Sequence, residues 1–353
     1  MLRTAFTRLV GCSVPIQQAG MGGAATPELA AAVSDAGGLG MVSLPMVPAE
    51  EVAATVAALA NGTTGPVGIN FVIHFLDVAA MEAAAPHCRV VEFSYGDPQA
   101  GLVERVHAAG ALADWQVGSA DEAKAAVQAG CDFVVAQGTE AGGHIRGTTG
   151  LLALLDEVLD AVEVPVLAAG GIGSARAMAA ALAAGADGVR VGTRFVATAE
   201  SGSHPAYIQA LVQASAVDTV ITTAFSGMWP DAPHRVLRSA VAAMEAFQGE
   251  TVGEMDLGPA RMPIPTGSIP SPTRDTTGAI PAMALYAGES VGNVVRVQPA
   301  GEVVRELAEG AERFLRRFRT PTDKSAADGS TGCPGSPCQQ PIRPRPPVRR
   351  LKP

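Results

Sequence analysis

The sequence predicts an α/β fold, a closed (β/α)8 TIM barrel with an inserted segment over the barrel mouth, on three observations. From residue 14 to about residue 200, short apolar runs alternate with Ala-rich stretches of helical length, which is the pattern of repeated βα units. A loose repeat recurs in AAVSDAGGLGMV, RVHAAGALADWQV, AAVQAGCDFVVAQG and AALAAGADGVRVGT: a helix end, a glycine, then a strand. Gly37, Gly110, Gly130 and Gly185 stand where a left-handed residue stops a helix so that the chain can turn back onto a sheet. Finally, eight strand candidates favour a closed barrel over an open doubly wound sheet.

Those candidates are residues 15–19, 39–43, 67–71, 90–94, 112–117, 133–137, 164–168 and 189–191. Amphipathic stretches at 27–35, 48–59, 121–129 and 175–183 are long enough to cover one strand and return. After about residue 200 the register breaks. Helical patterns at 205–214 and 233–247 precede a Gly, Pro, Met and Thr-rich stretch from 253 to 292, read as part of an insertion over the mouth. A last amphipathic helix at 302–318 closes the outer ring, with Arg313, Arg316, Arg317 and Arg319 near its C-terminus, where cations meet the helix dipole favourably. The expected organisation is thus 1–218 for the main part of the barrel, 219–300 for the insert, 301–320 for the closing helix, and a tail at 321–353. The tail holds eight of the 26 prolines and six Lys/Arg against two Asp, a composition expected to be disordered or polyproline-like.

A 353-residue chain that is 48% hydrophobic and 17% charged, with 40 Gly, is neither disordered nor fibrous. Net charge is −9 and no basic stripe lies in the body, which argues against nucleic acid as a partner. No apolar run approaches the roughly 20 residues that span a bilayer, and the first residues lack a signal core, so no membrane association is expected and the protein reads as cytoplasmic. The five Cys, at 12, 88, 131, 333 and 338, form no paired C-x-x-C cluster, so reduced thiols and no metal site are expected.

Two segments carry the chemistry. In VLAAGGIGSARAM, strand seven ends in Gly170-Gly171-Ile172-Gly173, and Ser174 can cap the next helix. Strand eight ends in the donor-rich turn Gly192-Thr193-Arg194-Phe195. Exposed amides and a helix N-terminus suit an anion, and in (β/α)8 enzymes these two loops commonly form a phosphate site. In VVAQGTEAGGHIRG, Gln137 offers an amide at the end of strand six. Gly142-Gly143 lets backbone pass a flat ring, and His144 follows with an imidazole suited to act as base or donor. Asn70 and His74 lie near the end of strand three, and AGMGG at 19–23 ends strand one. Glu140, four residues before His144, belongs to no metal-ligand cluster. No Gly-x-Ser-x-Gly elbow, P-loop or H-E-x-x-H motif occurs.

PIQQAGMGG, SDAGGLGMV, GINF, VVAQGTEAGGH, LAAGGIG and VGTRF, in this order, resemble the nitronate monooxygenase family over roughly residues 11 to 300. Flavin-dependent enoyl-[acyl-carrier-protein] reductases share much of the pattern. The resemblance implies noncovalent FMN across the C-terminal mouth. Met21 and Gly22 would line the flavin, Asn70, Gln116 and Gln137 would bond its ring, and Gly142 would pass beside it. Gly170, Gly171, Gly192 and Thr193 would hold its phosphate, and His144 matches the family's catalytic histidine. TAFSGMWPDAPHRVLRS and PAMALYAGESVG extend the resemblance, with residues 286–288 folding over the flavin. At Glu289 many relatives carry Gln, and with only three Tyr in the chain an aromatic-lined pocket is not expected.

Three functions are weighed on this basis. The leading expectation is oxidation of alkyl nitronates, such as propionate 3-nitronate, by oxygen to carbonyl compound and nitrite. The alternative is an NAD(P)H-dependent FMN reductase of enoyl thioesters or quinones. The third is a flavin-binding module without turnover that uses its tail as a partner site. The partners are then small molecules, with a homodimer allowed.

Overall fold

The computed structural model describes residues 2–256 and 261–317. Eight parallel strands form the central sheet: β1 (Ile16–Gln18), β2 (Gly40–Val42), β3 (Val67–Val72), β4 (Val90–Ser94), β5 (Leu112–Val117), β6 (Phe133–Gln137), β7 (Val166–Ala169) and β8 (Gly188–Val191). From β2 to β8 each pairs with the next in sequence, and β1 pairs with β8 through Ile16–Val189, Gln17–Arg190 and Gln18–Val191. A parallel bridge from Gln17 to Leu39, just before β2, closes the ring, so the fold is a (β/α)8 barrel. The strands are short and buried on both faces, which is why they read as near-continuous apolar runs. Strand β7 begins at Val166 rather than 164 because Pro165 has no N–H to give to a ladder.

The helices between them are α1 (Pro27–Asp35), α2 (Ala49–Gly62), α3 (Val78–Ala84), α4 (Ala100–Ala108), α5 (Ala120–Gln128), α6 (Leu151–Ala161) and α7 (Ala175–Ala183). Side-chain caps start several of them: Thr26 accepts from Leu29 N, Ser119 from Glu122 N and Ser174 from Ala177 N. The four repeat glycines all have positive φ, from 86° at Gly110 to 111° at Gly185, as the helix-stop pattern predicts. A final helix, α8 (Ala300–Arg316), buries Val303, Val304 and Leu307 and packs on α7 and α1. At Gly310 a Cβ would lie 2.3 Å from Ala175 Cβ, so only glycine allows this approach to α7. Phe318 and the tail at 321–353 lie outside the described residues.

The barrel interior is layered. At its N-terminal end a short helix, Ala5–Val10, capped by Thr4, inserts Phe6 among Leu39, Val90, Phe133 and Leu167. Phe6 meets Phe133 edge-on, with ring centroids 5.3 Å apart. Above this apolar plug lie the polar side chains of Gln17, Glu92, Asp114 and Arg190, all buried. Cross-strand register puts Glu92 beside Asp114, and Gln17 beside Arg190.

Residues beyond the barrel strands form two small antiparallel sheets. In one, His234–Leu237 lies between Thr219–Thr222 and Gly143–His144. In the other, Thr251–Asp256 lies between Arg261–Pro265 and Thr276–Gly278. The helical reading of 233–247 is corrected at its start: residues 234–237 are strand, and the helix runs only Arg238–Ala246. Backbone partners outweigh local helix propensity there, because 219–222 pairs with all four residues on one side and 143–144 with His234 and Arg235 on the other. Among the described residues no helix is long and apolar enough to cross a membrane.

Phe6 fills the floor of the barrel from outside the repeat. Phe6→Ala is expected to cost about 3–5 kcal/mol in chemical denaturation, as for a large aromatic removed from a rigid core. A loss under about 1 kcal/mol would show that the plug is dispensable.

Candidate functional site

The C-terminal ends of the strands converge on one mouth. After β7, Gly170 and Gly171 take φ of 116° and 67°, a backbone that only glycine adopts without strain, and their loop leads into α7. After β8, Gly192 caps the one-turn helix Thr193–Val196. Adjacent pairing of β7 and β8 brings the two glycine turns side by side. Arg194 clamps this corner, donating to Gly173 O at 2.7 Å and pairing with Glu306 of α8 at 3.0 Å. The Thr193 hydroxyl accepts from Gly288 N at 3.0 Å, so the insert is tied to the same corner.

After β1, Met21 starts a single 3-10 turn, with Gly22 at φ 53°. The preceding Gly20 packs on Asn70 of β3, where a Cβ would sit 2.4 Å from Asn70 Cβ. Asn70 donates to Glu92 Oε1 (2.5 Å) and Ser94 Oγ (3.2 Å), and its carbonyl oxygen accepts no bond among the described residues. Gln116 of β5 donates to Gln137 Oε1 of β6 at 3.0 Å, and Gln137 donates to His144 O at 3.1 Å. A Cβ added at Gly22 or Gly143 would meet nothing within 4 Å, so backbone on two sides of the mouth borders open space. That opening, the twin glycine turns and the inward amides form a donor set that fits a flat, phosphorylated ring.

His144 sits in a two-residue strand held by His234–Arg235. Its ring stacks on Trp229 (centroids 4.2 Å apart, 20° between planes) and lies near His234, Tyr286 and Tyr95 at 5.2, 5.6 and 6.0 Å. Nε2 is buried and has no hydrogen-bond partner. Removal from water, with a smaller contribution from His234, pushes the imidazole pKa down to about 3, so the ring is neutral near pH 7. A neutral imidazole with one unused nitrogen can take a proton from a ligand.

His74 stacks on the opposite side of Trp229 (5.1 Å, 5°) and stays exposed, outside the His144 cluster. Glu140 accepts the Leu151 N–H at 3.0 and 2.9 Å and so caps α6. Gly142 lies against the insert: a Cβ there would be 2.5 Å from Gly288 N. Glu289 pairs with Arg235 at 3.2 Å, and the same guanidinium donates twice to Thr139 O, which straps the insert across the loop after β6. The scarcity of Tyr did not prevent an aromatic pocket. Tyr95 and Tyr286 join Trp229 around His144, while the third tyrosine, Tyr207, is buried and donates to Tyr286 O. In the sequence Trp229 stands within the segment TAFSGMWPDAPHRVLRS, in a Gly/Pro-bounded loop, with nothing local that ties it to His144.

A family model described as nitronate monooxygenase matches residues 3–310. The chain is 37% identical over 244 residues to a (3aS,4S,5R,7aS)-5-hydroxy-7a-methyl-1-oxo-octahydro-1H-indene-4-carboxyl-CoA dehydrogenase of Rhodococcus jostii, covering 67% of this chain and 66% of that protein. It thus spans just under two thirds of that relative's length. A probable nitronate monooxygenase of Staphylococcus aureus is 29% identical over 269 residues, covering 63% of this chain and 76% of that one. Among solved structures, FabK from Thermotoga maritima superposes with a TM-score of 0.74 at 29% identity, over 90% of this chain and 99% of that one. Nitroalkane oxidase from Streptomyces ansochromogenes superposes with a TM-score of 0.70 at 31% identity, over 88% and 100%.

The depressed histidine has a consequence for stability. The folded state prefers the neutral ring, so as pH falls below the ordinary value of 6.5 the unfolded chain gains the proton first and stability drops. We expect His144 to account for about 1–2 kcal/mol of the stability lost between pH 7 and pH 5. Urea denaturation of wild type and His144→Asn at both pH values measures it; equal losses in the two proteins would contradict a neutral, desolvated ring.

Proposed function

The chain belongs to the nitronate monooxygenase family, and from that premise we propose that it is an FMN-dependent oxidoreductase acting in the cytoplasm. In this reading it oxidises alkyl nitronates with oxygen to a carbonyl compound and nitrite. The observation that carries the proposal is the buried, unpartnered and neutral His144 Nε2 at the barrel mouth, beside the glycine turns of β7 and β8. When bound, FMN supplies the electron acceptor and the centre that passes electrons to oxygen.

The chain's own residues then divide the remaining work. Gly170, Gly171, Gly192 and Thr193 bind the phosphate through backbone N–H groups and the helix N-termini that follow them. Asn70 presents its free carbonyl oxygen to the ring edge, Gln116 and Gln137 complete the polar rim, and Met21 and Gly22 line the face over β1. Gly142 borders the ring together with the Ala287–Gly288 backbone that it supports. His144 removes the α-proton of a neutral nitroalkane at Nε2, or holds a nitronate by hydrogen bonding if that nitrogen carries the proton. Trp229, Tyr95 and Tyr286 exclude water around the imidazole, which keeps it neutral at rest; the imidazolium formed on proton removal is disfavoured by the same burial and is offset by the negative charge of the nitronate beside it.

A second reading, dehydrogenation or NAD(P)H-dependent reduction of acyl or enoyl thioesters, is favoured by the identity to the CoA-ester dehydrogenase and the likeness to FabK. A saturated acyl thioester also carries an acidic α C–H, so the same base would serve its dehydrogenation; reduction of an enoyl thioester would instead need a proton delivered to the α-carbon.

Nitrite release with matching oxygen uptake, on adding a preformed nitronate to the FMN-loaded protein, tests the first reading. His144→Ala should lower kcat/KM for neutral nitroalkanes by about 100- to 1000-fold and for preformed nitronates by less, because only the former need proton removal. Absence of nitrite, with NAD(P)H consumed when an enoyl thioester is present, would overturn it in favour of the second.

A further inference from the structure

Inside the barrel, below the mouth, lie four buried polar side chains that binding and chemistry at the mouth do not use: Gln17, Glu92, Asp114 and Arg190. Glu92 accepts from Gln17 Nε2 at 2.9 Å and from Asn70 Nδ2, and pairs with Arg190 Nη2 at 2.6 Å. Burial pushes both carboxyls up. Asp114 goes well above its usual range because the Glu92 charge adds to burial, while at Glu92 the Arg190 guanidinium opposes the effect. One guanidinium thus faces two carboxyls, both of which burial pushes toward the neutral form, Asp114 the more strongly.

Arg190 also donates from Nη1 to Gln116 Oε1 at 2.7 Å. From there the bonds run in one direction: Gln116 Nε2 to Gln137 Oε1 at 3.0 Å, then Gln137 Nε2 to His144 O at 3.1 Å. A side-chain amide can face either way, and little in its shape decides which. Arginine has no acceptor, so Gln116 must turn its oxygen toward Arg190 and its NH2 toward Gln137. Gln137 must then turn its own NH2 toward the His144 peptide. The neutral glutamine pair cannot fix this order by itself, because reversing both amides would leave the bond between them intact; the order is set from the two ends, by Arg190, which only donates, and by His144 O, which only accepts.

We propose that Arg190, anchored on Glu92, is a positioning residue: as the buried donor at one end of the Gln116–Gln137 amide relay it locks the relay in the direction that the His144 carbonyl accepts at the other, and thereby holds the His144 peptide and the polar rim of the mouth in one arrangement. The inference rests on the reading of His144 as the working base, but its structural half does not need that reading.

The double variant Glu92→Gln/Arg190→Met tests it. Replacing a buried ion pair by neutral groups of similar volume is often without cost to stability. The expected result is an unchanged melting temperature and a kcat with nitronate lower by about 10- to 100-fold, at a KM within about threefold of wild type. Side-chain amide protons of Gln137, followed by NMR in the FMN-free protein, should exchange at least about tenfold faster. Arg190→Lys, which keeps a charged donor, should restore most of the kcat. Wild-type kcat and amide exchange in the double variant would overturn the proposal. If that variant does not fold, Gln116→Glu serves, since it keeps the partner of Arg190 but puts an acceptor where Gln137 needs a donor. It should give the same loss of kcat and protection, and wild-type values would again overturn the relay. If wild type turns over no nitronate, the amide exchange alone decides, so failure of the functional reading and failure of the relay remain distinguishable.

Discussion

The antiparallel pairing of Gly143–His144 with His234–Arg235 is the contact on which the site depends. A (β/α)8 barrel offers a ring of strand ends open to water. Here two residues of the loop after β6 become the edge of a small sheet whose other strands come from beyond the barrel. That pairing brings Trp229 onto the His144 ring and Tyr286 and His234 beside it, while Arg235 reaches back to Thr139 and Glu289. Desolvation of the imidazole, and hence its neutral state, follows from this covering, with a smaller contribution from His234 in the same direction.

Two electrostatic regimes are stacked along the barrel axis. At the mouth, the glycine turns after β7 and β8 present backbone donors for an anion. In the interior, Glu92 and Arg190 neutralise each other where water is absent, and the amides between the two regions carry hydrogen-bond direction upward without carrying charge. The floor beneath is apolar and sealed by Phe6, so the polar layer is shielded from solvent on the side away from the mouth.

Much of this was legible in the chain. The strand–helix alternation, the four helix-stopping glycines and the Gly170-Gly171 turn are local signals, each written within a few residues, and the strand ends follow from them. His144 stood out because it follows Gly142-Gly143 just past the end of β6. What escaped were features made by distant segments. Trp229 reaches His144 from 85 positions away, and nothing local distinguishes it from a core tryptophan such as Trp115. Glu92, Asp114 and Arg190 each look like an isolated charge in an apolar strand, and only the cross-strand register shows that they meet. Residues 234–237 read as helix for the same reason: their strand partners lie elsewhere in the sequence. The Phe6 plug precedes the repeat and shares none of its pattern.

The central claim is that a flavin seated at this mouth takes electrons from a nitronate held beside His144. Anaerobic addition of nitronate to the FMN-loaded protein, followed by visible absorption, tests it most directly. The expected result is bleaching of the flavin band by nitronate and its return when oxygen is admitted. A flavin that stays oxidised with nitronate but bleaches with NAD(P)H would contradict the claim, as would a chain that takes up no FMN.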